Sequence, residues 1–126
     1  MRVVDTSLWI EYAAEGSLAD YAEQHVLPLA TCIVPAMVHY EMAKWCNRVL
    51  SDEDAGRVMS LLTECVSADM DVAVATEAAL LSARHKLHAT DAIIYATAQV
   101  AGATLHTCDA HFKGLPGVDY LEKPTV

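Results

Sequence analysis

The chain has 126 residues, of which 54% are hydrophobic, and it carries a formal net charge of −9. This length and composition predict one packed domain spanning residues 1–126 and exclude a disordered chain. The excess of 17 acidic over 8 basic side chains excludes a protein that binds nucleic acid through its overall charge, whereas it suits one that binds cations or a basic partner.

No apolar stretch approaches the roughly 20 residues that a membrane-spanning helix needs. Polar residues follow directly after Val3 and Val4, so the N-terminus lacks the pattern of an export signal. We therefore expect a cytoplasmic protein with no membrane association. In that compartment, cysteines without a C-x-x-C pair are expected to be reduced core residues. They are Cys32, Cys46, Cys65 and Cys108.

The N-terminal segment Arg2–Val4 predicts a short buried strand, and three polar residues follow it at once: Asp5, Thr6 and Ser7. A helix that begins here needs one capping side chain. At least one of the three is therefore surplus, and Asp5, at the end of the strand, is the natural candidate for another role.

The first helix is expected to end at Gly16, and a second short helix to begin with Ser17 as its N-cap and to run through His25. Helical spacing places three apolar residues of the first helix inward and two acids outward. These are Leu8, Trp9 and Tyr12, and Glu11 and Glu15.

The next strand, Leu29–Val34, leads into a helix that is expected from Pro35 to about Val49. Glu41 falls inside the predicted apolar stripe of this helix, where an unpaired carboxylate is costly, so it is expected to bind a metal ion or to pair with an arginine. The stripe consists of Met37, Val38, Met42, Trp45 and Val49.

Two further helices are expected to begin with Ser51 and Asp71 as N-caps, separated by a short extended segment near Val66. The first carries acids in its first turn, which suit the helix dipole, and the second ends near His85. Their inward-facing residues are expected to be Val58, Leu61 and Leu62, and Val74, Ala75, Ala78 and Leu81.

The most apolar helix is expected to run from about Asp91 to Ala101. No charged side chain follows Asp91 in this stretch, which indicates a helix buried on nearly every face. Either Asp91 or Thr90 caps this helix, or Asp91 points into a site that other acids share. The pair His85 and His88, just before it, has a metal-compatible spacing and is expected to face solvent.

After a C-cap at Gly102, Ala103–Thr107 predicts a strand and Val118–Leu121 predicts a last one. The loop between them, Ala110–Gly117, is expected to be anchored by Phe112. Strands that alternate with helices predict a three-layer α/β/α sandwich around a mainly parallel sheet.

Four acids are predicted to meet at one edge of this sheet: Asp5, Glu41, Asp91 and Asp109. Two follow strands and two lie near the starts of helices, and ligands of such sheets bind beyond the carboxyl ends of the strands. Carboxylates so close together raise one another's pKa and repel unless a cation neutralises them. A site with only oxygen ligands favours a hard ion, Mg²⁺ or Mn²⁺.

The segments around these acids resemble the four acidic motifs of the PIN-domain nucleases, in particular the VapC-type toxins of bacterial and archaeal toxin–antitoxin pairs. They are Val3–Ser7, Glu41 in its helix, Thr90–Ala92 and Thr107–Phe112. The resemblance spans almost the whole chain, with the motifs in the same order. The last motif departs from that of many relatives, which carry another acid after the position of Asp109, where this chain has His111.

The resemblance implies an Mg²⁺-dependent endoribonuclease in which the four acids bind the metal and are the catalytic residues. It also implies a homodimer and an antitoxin whose C-terminal segment inserts a basic side chain into the acidic cleft. Because a metal-activated water can attack the phosphodiester, no protein nucleophile is required. Three hydroxyl residues are expected to orient the carboxylates or the water: Thr6, Ser7 and Thr107.

Basic and aromatic side chains complete the predicted interfaces. A local basic rim is expected to bind RNA phosphates, and it consists of Lys44, Arg48, Arg84 and Lys86. Trp9, Tyr12 and Trp45 either belong to the core, as large aromatic residues usually do, or line an apolar groove for the antitoxin.

Three other functions remain open on the sequence alone. One is an RNA-processing PIN nuclease outside a toxin–antitoxin pair. A receiver-type phosphoacceptor domain would need a second acid beside Asp5 and an acceptor aspartate where Val34 and Pro35 end the middle strand; only Lys113 favours it. A non-catalytic module that receives a basic peptide would have no hydrolytic activity to lose in an Asp91→Asn variant.

Overall fold

The computed structural model describes residues 1–125. Its strands are β1 Arg2–Val4, β2 Cys32–Pro35, β3 Val66–Ala68, β4 Thr104–Thr107 and β5 Val118–Tyr120. Its helices are α1 Thr6–Ala13, α2 Ala19–Val26, α3 Ala36–Val49, α4 Asp52–Glu64, α5 Val72–His85 and α6 Ala89–Ala101. Two single turns of 3₁₀ helix span Leu29–Thr31 and Ala110–Phe112.

All five strands lie in one parallel sheet in the order β3-β2-β1-β4-β5, which confirms the predicted α/β sandwich. Val3 and Val4 of the central strand are fully buried, as expected for a parallel sheet covered on both faces. Flavodoxin-like domains, the fold of receiver domains, have the order 2-1-3-4-5. The receiver-type hypothesis is therefore wrong.

Helix α6 packs against α5, α3 and β4, and its residues Ala92 and Ile94–Ala98 are buried. The predicted buried helix is thus confirmed. Its alanines let the neighbouring elements approach closely, while the hydroxyl of Thr97 donates to the carbonyl oxygen of Ile93 at 2.8 Å and so satisfies itself within the helix. Gly102 ends the helix with a φ of +63°, in the left-handed region that favours glycine.

Several local predictions are also confirmed. Ser51 accepts a hydrogen bond from the Asp54 N–H at 3.2 Å, and Asp71 accepts one from the Val74 N–H at 2.9 Å, so both cap their helices. Phe112 is fully buried. The four cysteines are free thiols, and all except the half-buried Cys108 are buried. No helix within residues 1–125 has the length and apolar character of a membrane span.

The predicted positions of Glu11 and Ser17 are wrong. Glu11 is 5% exposed, because its Oε1 accepts the Leu18 N–H at 3.0 Å and the Ser17 hydroxyl at 3.4 Å. Helix α2 begins after Leu18 and has no side-chain cap. The Glu11 carboxylate instead binds the N–H of Leu18, the N-cap residue itself. Burial raises the pKa of Glu11, but these donors and Lys123, whose Nζ lies 3.2 Å from Oε2, hold it below its usual value.

Two of the predicted apolar helix faces each contain one residue that is exposed in the structure. Val49 is 54% exposed, whereas Val38, Met42 and Cys46 are fully buried. The buried residues of α3 are therefore spaced by four, a step that leads from Cys46 to the half-buried Leu50 and not to Val49. In α5 the expected Ala75 is exposed, whereas Val74, Ala78 and Leu81 are buried as predicted.

Candidate active site

Asp5 lies at the carboxyl end of β1, where its backbone N–H donates to the His106 carbonyl oxygen at 2.9 Å. It occupies the N-cap position of α1, so it is not surplus as predicted. The capping bond from the Ser7 N–H is nevertheless long, at 3.4 Å. The shorter bonds come from two hydroxyls, Ser7 Oγ at 2.7 Å and Thr107 Oγ1 at 2.8 Å.

Asp5 is 3% exposed, and burial raises the pKa of its carboxyl from 3.8 to about 6. The hydroxyls of Ser7 and Thr107 oppose this rise, and the charge of Asp109 adds to it. Within the described residues, the hydrogen bonds to this carboxyl all end on Oδ2. Oδ1 therefore remains as a donor for a cation.

Glu41 lies in the second turn of α3 and is half-buried at the rim of the apolar stripe. Its Oε1 accepts a hydrogen bond from Thr6 Oγ1 at 2.8 Å. Among residues 1–125 it forms no ion pair with an arginine, so that structural explanation is wrong. Thr6 follows Asp5 directly in the chain and thereby connects the two acids.

Asp91 lies in the first turn of α6, but it does not cap the helix. The N-cap is His88, which makes no side-chain capping bond, so the predicted caps at Thr90 and Asp91 are both wrong. The Asp91 carboxyl instead has its Oδ2 at 3.1 Å from Nδ1 of His111. Its pKa is raised, first by burial and then by the charge of Asp109, while His111 acts in the opposite direction.

Asp109 follows β4 and caps the 3₁₀ turn by accepting the His111 N–H at 2.9 Å. Its own N–H donates to Thr107 Oγ1 at 2.9 Å. Because the same hydroxyl donates to Asp5, Thr107 holds two acids at once. The charge of Asp109 raises the pKa of both Asp5 and Asp91, so the three carboxyls form one electrostatic cluster.

His111 joins this cluster, although the sequence marked it only as a departure from a motif. Its Nδ1 lies 3.1 Å from an oxygen of Asp91 and 3.3 Å from one of Asp109. One donor atom from each of these three residues lies within 4.8 Å of the others. The signal in the sequence was an imidazole, a group that can bind metals, at a place where an acid was expected.

The predicted basic rim is divided. Lys44 and Arg48 line an open cavity of about 370 Å³ together with Glu41, so they lie beside the acids. Arg84 and Lys86 are exposed at the end of α5 and do not line this cavity. Of the two histidines predicted to face solvent, His88 is exposed. His85 is half-buried, and its ring centroid lies 5.9 Å from that of Tyr95.

The donor set fits a divalent cation. Burial and, to a smaller extent, the charge of Asp109 hold two of the carboxyls at raised pKa values, and a nearby positive charge lowers such values. The donors are carboxylate oxygens with one imidazole at the edge, as in sites for hard or borderline ions. Thr6, Ser7 and Thr107 lie behind the carboxylates and orient them through hydrogen bonds.

Residues 2–118 match the family model described as the PIN domain. No curated protein is significantly similar to the chain in sequence.

Solved structures with similar folds share little sequence with this chain. A toxin–antitoxin complex from Klebsiella pneumoniae has 23% identity and a TM-score of 0.82, over 94% of this chain and 96% of that one. VapBC2 from Rickettsia felis, bound to a DNA fragment from its promoter, has 16% identity and a TM-score of 0.77, over 96% and 97%. VapC20 from Mycobacterium tuberculosis, a toxin that cleaves the sarcin–ricin loop, has 18% identity and a TM-score of 0.75, over 92% and 95%.

Proposed function

Because the chain belongs to the PIN domain family, we propose that it is a divalent-metal-dependent endoribonuclease that acts as the toxin of a toxin–antitoxin pair. The observation that carries this proposal is the convergence of Asp5, Asp91 and Asp109 from three separate elements, with the pKa values of the first two raised. Metal-assisted hydrolysis of a phosphodiester needs a group of side chains that holds the ion, and clustered carboxylates with raised pKa values favour the binding of a cation.

Four acids would hold the ion, which is Mg²⁺ or Mn²⁺: Asp5, Glu41, Asp91 and Asp109. When bound there, the ion supplies a water with a lowered pKa and stabilises charge on the phosphate and the leaving oxygen. The chain itself supplies orientation. Thr107 fixes Asp5 and the backbone of Asp109, Ser7 fixes Asp5, and Thr6 fixes Glu41.

RNA is the proposed substrate, because one similar structure is that of a toxin which cleaves the sarcin–ricin loop. An acidic protein needs local positive charge to bind a phosphate backbone. Lys44 and Arg48 provide it next to Glu41, in the same cavity. An RNA strand bound in that cavity would place its phosphates between the side chains of Lys44 and Arg48 and the acidic cluster.

An antitoxin peptide is the proposed partner for a groove between α1, α2, α3 and α4. Two adjoining cavities of about 590 and 610 Å³ share Ala13, Glu15 and Val58 in their walls. Acids prevail in this groove, with Asp20 and Glu23 at one end, so it suits a segment with basic and apolar side chains. Its aromatic lining comes from the half-buried Tyr12 and Trp45, whereas Trp9 is fully buried and belongs to the core.

A homodimer is proposed through the outer face of α5. Val72 is 82% exposed and Leu80 is 54% exposed, and a shallow apolar cavity of about 240 Å³ lies between α5 and α6. Two copies related by a two-fold axis would cover the same patch on each other.

Incubation of the purified full chain with a mixed RNA pool tests the proposed function. We expect endonucleolytic cleavage with Mg²⁺ or Mn²⁺ and none with EDTA. Asp5→Asn should abolish cleavage, whereas Asp52→Asn, which changes an exposed acid on α4, should retain it. Metal-dependent cleavage that survives in Asp5→Asn would come from a contaminating nuclease. A chain that binds the antitoxin but never cuts RNA would be a non-catalytic binding module.

A further inference from the structure

Two histidines and an aspartate from three elements lie together outside the acidic cluster. His106 of β4 and Asp119 of β5 are direct partners in the sheet, so their side chains emerge on the same face. His25, in the last turn of α2, stacks on His106 with ring centroids 4.1 Å apart. One donor atom from each residue lies within 4.8 Å of the others.

This cluster is separate from the nuclease site. Successive side chains of a strand alternate between the two faces of a sheet. Thr107, which follows His106, turns to the acids and donates to Asp5, while His106 turns to α2. The two groups of donors therefore lie on opposite sides of β4.

We propose that His25, His106 and Asp119 form a binding site for Zn²⁺. Two imidazoles and one carboxylate are a ligand set of zinc proteins in which a fourth position is filled by water or another ligand. The side chain of Asp119 is 52% exposed, so water reaches that fourth position. Imidazole nitrogens also distinguish this set from an all-oxygen magnesium site.

His106 has the anchoring that a ligand requires. It is 8% exposed, and its ring is held between His25 and Asp119. The Asp119 carboxylate is held in turn. Its Oδ2 lies 3.1 Å from His106 Nδ1 and accepts the Tyr21 hydroxyl at 3.4 Å. The Tyr21 bond is the kind of outer contact that orients a metal ligand.

Metal binding requires a rearrangement of the stack. The two imidazole planes are inclined by only 23°, so their nitrogens lie side by side, and one ring must turn for both to face one ion. His25 is the half-buried ring at a helix end, whereas His106 is fixed in the sheet, so His25 turns. The guanidinium of Arg2 donates to the His25 carbonyl oxygen, and its positive charge opposes the binding of a second cation nearby.

An ion at this site would tie α2 to β5, which is an edge strand of the sheet. A ligand that binds only the folded chain stabilises it by mass action. At a Zn²⁺ concentration about 100 times the Kd, the melting temperature should rise by roughly 10 °C.

The test is a Zn²⁺ titration of the full chain by isothermal calorimetry and thermal denaturation, in an Asp91→Asn background that weakens the acidic cluster. We expect one Zn²⁺ per chain and the rise in melting temperature. His25→Gln and Asp119→Asn should each weaken binding at least tenfold, since even outer-shell changes cost about that much. The control is His39→Gln, which removes a half-buried histidine of α3 and should bind Zn²⁺ with the same affinity as the parent, the chain that carries Asp91→Asn alone.

Two results would overturn the proposal: no Zn²⁺ binding below millimolar concentration, or equal affinity in the parent, His25→Gln and Asp119→Asn. Because Asp119 is exposed and asparagine keeps its shape, that variant is expected to fold even if His25→Gln does not. None of these readouts depends on RNA cleavage, so the outcome is independent of the proposed nuclease function.

Discussion

Replacing Asp5 by asparagine should stabilise the metal-free protein while it abolishes RNA cleavage. The pKa of this carboxyl is raised from 3.8 to about 6 in the folded chain, chiefly by burial, whereas the unfolded chain has the ordinary value. Between these two pH values the folded state binds more protons than the unfolded state. The free energy of unfolding therefore falls as the pH rises from about 4 to 6, and it stays lower above that range.

The size of the effect follows from the same two values. A pKa raised from 3.8 to about 6 costs the ionised fold about 3 kcal/mol above pH 6, since a tenfold change in an equilibrium is worth about 1.4 kcal/mol. Asparagine has the shape of aspartate without the charge. Asp5→Asn should therefore raise the free energy of unfolding by up to about 3 kcal/mol at pH 8, which corresponds to roughly 10 °C in melting temperature. At pH 4 it should change the free energy of unfolding very little.

Differential scanning calorimetry without divalent ions at pH 8 and pH 4 measures this difference. Asp52→Asn is the matched control, because its carboxylate is exposed in the first turn of α4 and its loss should be slightly destabilising. Mg²⁺ should raise the melting temperature of the parent and leave that of Asp5→Asn unchanged. A melting temperature of Asp5→Asn at or below that of the parent at pH 8 would refute the reasoning.

Three further variants test the surroundings of the acids. Thr107→Val removes the hydroxyl that joins Asp5 and Asp109, so urea denaturation should show a free energy of unfolding lower by about 2–4 kcal/mol. The control is Thr97→Val, at a buried threonine of α6, which should lower the free energy of unfolding by less than half as much. His111→Asn should weaken Mn²⁺ binding about tenfold and Mg²⁺ binding less, because imidazole suits transition metals better; equal calorimetric losses would exclude His111 as a ligand. Neutralising Lys44 and Arg48 should weaken RNA binding and reduce the slope of its salt dependence by up to about two; an unchanged slope would place the RNA elsewhere.

The sequence predicted those features that depend on neighbouring residues. Ser51 and Asp71 cap helices because capping needs only the next three residues, and the middle of α6 is buried because no charged side chain follows Asp91 there. The approach of Asp5 to Asp109 follows from topology as well, since both residues end parallel strands that are adjacent in the sheet. Local chemistry and one rule about parallel sheets were sufficient for these positions.

Contacts between distant segments could not be predicted in the same way. Glu11 looks like an exposed acid by helical spacing, yet its burial depends on the loop at Leu18 and on Lys123, far along the chain. Asp91 looks like a cap, and only the position of His88 shows that the helix begins three residues earlier. The role of His111 depends on where the 3₁₀ turn directs its ring, which no periodicity encodes.

The acids of the candidate site are held by hydroxyls and a histidine rather than by lysine or arginine. Among residues 1–125, no Lys or Arg forms an ion pair with Asp5, Glu41, Asp91 or Asp109. An arginine would fix a carboxylate equally well, but it would also cancel its charge and lower its pKa. A hydroxyl fixes the carboxylate and leaves the charge in place. The fold therefore keeps a negative, destabilising cluster, which the binding of a divalent ion would relieve.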